Sequence, residues 1–194
     1  MWPTMFDAAT ALAAALCALA VKLTDDWLDR DRDLAVGRAN WSAALGAGTM
    51  VYATLFLALA AGINAAVSLA LFFASYIVGM FNDLGRLLPS RLSGWQESLL
   101  VLAAGTAVCG WRVMLFAVMF VAAVQLFDDC IDLAGDRLAG QRNFACRLGT
   151  AECLLTGLTL MLAAWWLDAA LFGPVFAGVA LVYCGALRLK GVMR

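Results

Sequence analysis

The apolar positions of this chain come in long runs and not in alternations. Stretches able, or nearly able, to cross a bilayer core of about 30 Å occur at 5–23, 42–61, 63–81, 95–110, 111–127, 154–172 and 173–187. They predict an all-α, polytopic membrane bundle of about seven helices around a central cavity. Turn signals at Gly62, Gly110 and the pair Gly173-Pro174 predict three very short connections. The remaining loops, 24–41, 82–94 and 128–153, are long and polar. The whole chain, 1–194, reads as one transmembrane domain.

Seven crossings place every long loop on one face. Twelve of the thirteen basic residues then share that face, and only Arg112 falls on the other. Such a bias marks the cytoplasmic side, so the N-terminus is expected outside and the C-terminus in the cytoplasm. The expected setting is the cell (inner) membrane, among lipids.

Composition agrees and narrows the chemistry. Hydrophobic residues make up 64% of the chain, against about 45–50% in soluble domains. A net charge of −1 offers no basic surface for nucleic acid. Histidine is absent, which excludes imidazole acid–base chemistry and histidine-ligated metals. The six cysteines are scattered and read as small apolar helix residues.

Nine of the fourteen acidic residues lie in two segments, 25–33 and 128–136. Both read D-D-x-x-D-x-x-x-D. The match extends beyond the aspartates at an offset of 103 residues: Lys22 aligns with Gln125, Gly37 with Gly140, Asn40 with Asn143 and Trp41 with Phe144. This predicts a spanning helix, its acidic end and a glycine-broken loop used twice.

If each helix continues past the membrane core, Asp26, Asp29 and Asp33 share one face, as do Asp129, Asp132 and Asp136. Lys22 and Gln125 lie on the same faces, one turn deeper. Like charges at this spacing repel. Charged loops commonly border membranes, but two clusters with one spacing on one side call for compensation. Mg²⁺, or Mn²⁺, supplies it and leaves positions open for phosphate. The six aspartates are therefore expected to hold metal and, through it, a diphosphate. Arginines of the intervening loops would neutralise the remaining charge, with Lys22 either reaching a phosphate or pairing with Asp26. Trp27, Tyr52, Phe56, Tyr76, Phe116, Phe120 and Phe127 would either line a prenyl cavity or pack in the core.

These motifs resemble those of the UbiA superfamily of intramembrane prenyltransferases. Asp25, Asp26, Asp29 and Asp33 are similar to its first motif, with Asp25 where the family commonly has Asn. Asp132 and Asp136, with Gly140, Arg142, Arg147, Leu148 and Gly149 downstream, resemble its second. The resemblance covers about residues 5–187. It implies a helical bundle with both motifs at the cytoplasmic mouth of a cavity, Mg²⁺-dependent ionisation of an isoprenyl diphosphate, and a lipophilic acceptor that attacks the allylic cation. It implies catalytic and metal-binding roles for Asp26, Asp29, Asp33, Asp129, Asp132 and Asp136, and substrate-binding roles for Lys22, Asp25, Asp128, Arg142 and the loop residues Arg86 and Arg91. Helices that usually flank this core are not expected in this chain, so a homo-oligomer or partner subunit is compatible with it. The alternatives are a terpene cyclase of the same fold, or a protein that binds or transports an isoprenoid diphosphate or a divalent ion without chemistry. Transport ranks lower, because no acidic residue falls at mid-membrane depth.

Overall fold

The computed structural model describes residues 6–140 and 143–192, and the regular structure among them is helical. Helix α1 spans Ala8–Leu28, followed by the short α2 (Arg30–Ala35) and α3 (Trp41–Leu45). Then come α4 (Gly48–Ile63), α5 (Ala65–Gly79) and α6 (Gly94–Cys109). Helix α7 spans Trp111–Ile131, again followed by two short helices, α8 (Leu133–Ala139) and α9 (Phe144–Leu148). The chain closes with α10 (Thr150–Leu167) and α11 (Ala169–Val192).

Among the described residues, four helices are long and apolar enough to cross a membrane: α1, α7, α10 and the Ala169–Ala186 part of α11. Helices α4 and α5 are apolar but have only 16 and 15 residues, and α6 has 16, short of the roughly 20 that span a bilayer. The expected start of the second span at 42 gives way to a separate helix. Asn40 caps α3, accepting the Ser42 N–H at 2.8 Å, and Gly46 ends it.

Two expected breaks also move. The chain turns at Asn64 and Asp168, while Gly62 lies inside α4, and Gly173 and Pro174 lie inside α11. Both turning residues are extended, with φ −146°, ψ 90° at Asn64 and φ −151°, ψ 85° at Asp168. Asn64 also accepts the Val67 N–H, so a short polar side chain starts α5. Pro174 removes one amide donor, and the helix continues through it.

The chain divides into two compact units: residues 1–68 with 170–194, and residues 69–169. In the first, α1 packs along α4. Both helices bury alanines, Ala13, Ala14 and Ala20 on α1 and Ala53 and Ala60 on α4, and such small side chains let helix backbones approach closely. Helix α11 also comes close to α1: a Cβ at Gly178 would sit 2.3 Å from the Ala11 carbonyl oxygen. In the second unit α7 packs along α10 and α6. Phe116 and Phe120, stacked 5.8 Å apart, are fully buried there.

The internal repeat is visible in burial. Ala13, Ala14, Cys17, Ala20, Leu23 and Asp26 of α1 are buried, and so are Phe116, Ala117, Phe120, Ala123, Leu126 and Asp129 of α7, each 103 residues later. In the following long helices the offset becomes 104: Thr49, Ala53 and Ala60 match Cys153, Gly157 and Ala164. The turns at Asn64 and Asp168 keep that offset. The repeat therefore covers α1–α4 and α7–α10 and reaches the starts of α5 and α11. Each unit combines one four-helix copy with most of the helix that follows the other copy.

Candidate functional site

Each acidic motif lies where a long helix gives way to a short one. Helix α1 ends at Leu28, and Asp29 (φ −96°, ψ 2°) forms the joint to α2. Helix α7 ends at Ile131, and Asp132 (φ −88°, ψ 2°) forms the joint to α8. The expected ridge of three carboxylates on one continuous helix is thus interrupted at its middle member, and the three side chains have different surroundings.

The first and last aspartates turn inward. Asp26, Asp33, Asp129 and Asp136 are 4%, 9%, 6% and 7% exposed. Burying a carboxylate is costly unless hydrogen bonds meet it, and here the following loop supplies them. The Asn40 amide donates to the Asp26 carbonyl at 2.7 Å and to Asp33 Oδ2 at 2.8 Å. The Asn143 amide donates to the Asp129 carbonyl at 2.8 Å and to Asp136 Oδ2 at 2.7 Å. The Trp41 N–H donates to Asp26 Oδ2 at 3.0 Å, and the Phe144 N–H to Asp129 Oδ2 at 2.7 Å.

One turn up the helix, Lys22 Nζ lies 2.6 Å from Asp26 Oδ1, and Gln125 Nε2 lies 2.9 Å from Asp129 Oδ1. Of the two uses open to Lys22, the structure shows the pairing with Asp26. Gly37 and Gly140 turn the loop back at φ 70° and 64°, a conformation that favours glycine.

The middle aspartates lie nearer the surface. Asp29 is 38% exposed and pairs with Arg32. Burial pushes its carboxyl above the usual carboxylate range. Arg32 pulls it back, and Asp33 adds a smaller push upward. Asp132 is half-buried, and Asp25 is exposed at the end of α1. Asp128 lies on α7, next to the buried Asp129.

Arg86 and Arg91 sit on a compact loop of the second unit. The Gly94 N–H donates to the Arg86 carbonyl at 3.1 Å, and the Trp95 N–H to the Leu84 carbonyl at 3.0 Å. Glu97 fastens the loop, accepting from the Ser90 and Tyr76 hydroxyls. Arg91 has φ 65°, a conformation uncommon for a residue with a side chain. Arg86 is 70% exposed and lies 3.9 Å from Asp83. Arg142 falls outside the described residues.

The expected aromatic lining is dispersed. Phe116 and Phe120 are core, Tyr76 serves Glu97, and Phe127 packs over Gly157. The second unit instead has a wholly apolar cleft of about 370 Å³, lined by Ile77, Phe81, Leu84, Trp95, Leu99 and Leu102 among others. Its residues Leu84 and Trp95 are hydrogen-bonded across the arginine loop.

Carboxylate oxygens suit Mg²⁺ chemically. Among the described residues, however, no three acidic or thiol groups gather to hold a metal ion. A single copy is therefore not a metal cage. Its half-buried middle aspartate fits the other habit of Mg²⁺, which keeps several waters and takes one or two carboxylates together with substrate phosphates.

Sequence reasoning aligned Asn40 with Asn143 without assigning them a task. The signal was their equal offset and their place before a short apolar helix, where asparagine caps well. Comparison with protein-family models, with curated proteins and with solved structures yields no match.

Proposed function

We propose that the chain is an intramembrane prenyltransferase. It binds an isoprenyl diphosphate at the cytoplasmic border and transfers the prenyl group to a lipophilic acceptor. The observation that carries this reading is the twinned motif: two acidic helix ends 103 residues apart, folded alike to within a few tenths of an ångström in their shared hydrogen bonds. Duplicated carboxylates at helix ends match the need of a diphosphate for cations on more than one oxygen.

In each copy the middle aspartate, Asp29 or Asp132, presents its carboxylate to a metal–diphosphate. Arg86 and Arg91 supply guanidinium donors to phosphate oxygens. The apolar cleft beside that loop suits an isoprenoid tail. Mg²⁺, when bound, supplies charge compensation for the departing diphosphate. In the transfer, the bond between the prenyl carbon and the diphosphate oxygen breaks and the diphosphate leaves with the electron pair. The acceptor's nucleophilic atom then bonds the prenyl carbon and gives up a proton.

The test is diphosphate release by the purified protein, with prenyl diphosphates of increasing length, in Mg²⁺ and in EDTA. Release that requires Mg²⁺ and falls about 10²-fold in Asp29→Asn and in Asp132→Asn supports the reading. Wild-type rates in both variants, or no release by the wild type, sink it. A cyclic hydrocarbon formed without acceptor turns the transferase into a cyclase.

A further inference from the structure

We infer that Asn40 and Asn143 are positioning residues: each ties the backbone carbonyl of the first aspartate and the carboxylate of the last to the loop behind, and so holds the joint from which Asp29 or Asp132 meets the cation–diphosphate. This rests on the function proposed above and divides labour among aspartates that look equivalent in sequence.

Four observations support the division. Each asparagine amide bridges two points seven residues apart, the carbonyl of the first aspartate and the side chain of the last. Each asparagine oxygen meanwhile caps the next short helix, taking the Ser42 or the Cys146 N–H. The first aspartate has donors on both carboxylate oxygens: Lys22 and Trp41 N–H in one copy, Gln125 and Phe144 N–H in the other. The same arrangement forms twice, although the residue one turn before and the residue after the asparagine differ between copies. Geometry that persists while its neighbours change belongs to the motif.

With its two ends held, the joint between the helices has little freedom at Asp29 or Asp132. A carboxylate fixed in this way binds a cation without ordering itself first. Partners that orient a ligating side chain typically change metal affinity by about 10–100-fold when removed.

The test exchanges donor and acceptor. Asn40→Asp keeps the cap on α3 and sets two carboxylates against each other at Asp33. Adding Asp33→Asn restores an amide–carboxylate pair in the opposite sense. The same pair of changes applies to Asn143 and Asp136. Two quantities are read: the melting temperature in EDTA, and the Mg²⁺ concentration that gives half-maximal diphosphate release. Asn40→Asp and Asn143→Asp should each raise that concentration by about tenfold or more and lower the melting temperature, with helix content unchanged. Each exchanged pair should recover part of both losses, since the substituted carboxylate accepts from the new amide but cannot donate to the Asp26 or Asp129 carbonyl.

If the exchanged pairs recover stability but not the Mg²⁺ requirement, the last aspartate is itself a ligand and the division fails. If they recover neither, the amide–carboxylate contact is not what orients the motif. If the wild type releases no diphosphate, the proposed function falls and the cation-facing role falls with it. The melting temperatures then decide whether the loop tie alone is real.

Discussion

The two motif copies reach the same local fold with different charges. Lys22 and Gln125 occupy one seat, each donating to the buried carboxylate one turn below, at 2.6 and 2.9 Å. Residues 22–33 contain five aspartates and three basic residues, whereas 125–136 contain four aspartates and no basic residue. Ser42 adds a hydroxyl that donates to the Asp26 carbonyl at 3.0 Å, and its counterpart Ala145 is equally buried without one. What the fold requires at these positions is a hydrogen-bond donor to a buried carboxylate and an asparagine behind it. A cation in that seat is an addition made by the first copy alone.

The comparison breaks most visibly at Lys22. Lys22→Met removes the charged partner of a buried carboxylate that keeps the Trp41 N–H, and should cost about 3 kcal/mol in unfolding experiments. Lys22→Gln copies the second seat and should cost only about 1 kcal/mol. Equal losses would show that the first copy needs the charge itself.

Next in size is the effect on turnover. Asp29→Asn and Asp132→Asn should each slow diphosphate release by about 10²-fold, roughly 2.7 kcal/mol of barrier. The double variant shows whether the copies serve one reaction: a floor near that of either single change means that they do, and additive losses mean that they work independently.

A smaller difference separates the helices that follow the copies. At the 104-residue offset, Gly178 of α11 matches Ala74 of α5, and both are closely surrounded. A methyl group at Gly178 would press on the Ala11 and Ala15 backbone, which cannot swing aside as a side chain can. Gly178→Ala should destabilise the protein by about 1–3 kcal/mol, while Ala74→Gly should cost about 1 kcal/mol or less of helix preference beyond the lost methyl contact. The smallest effect is expected at Ser42. Ser42→Ala should cost about 1 kcal/mol, and Ala145→Ser should be close to neutral if its hydroxyl finds the Asp129 carbonyl. Thermal unfolding in one detergent checks both.

Much of the candidate site is legible in the sequence. Asp25, Asp26, Asp29 and Asp33 stand out against an apolar chain, and their echo at Asp128, Asp129, Asp132 and Asp136 is a matter of counting. The helical class follows from runs of apolar residues too long for strands. Boundaries were harder. Asn64 and Asp168 turn the chain where glycine and proline had been the expected signals, and at Asn64 the side chain itself starts the next helix by accepting the Val67 N–H. The shared carboxylate face was the less reliable expectation, since it assumed one continuous helix through Asp29 and through Asp132.

The chain alone determined its helices, its apolar character and its duplicated acidic segments. Those properties depend on side-chain type and on spacings of a few residues, which hydropathy and helical period expose directly. Only the tertiary structure decided that Asn40 and Asn143 close on aspartates seven and fourteen residues earlier, and that each compact unit takes in a helix from the other end of the repeat. Hydrogen bonds across a loop and packing between distant helices depend on which surfaces meet once the chain has turned, and no local pattern contains that.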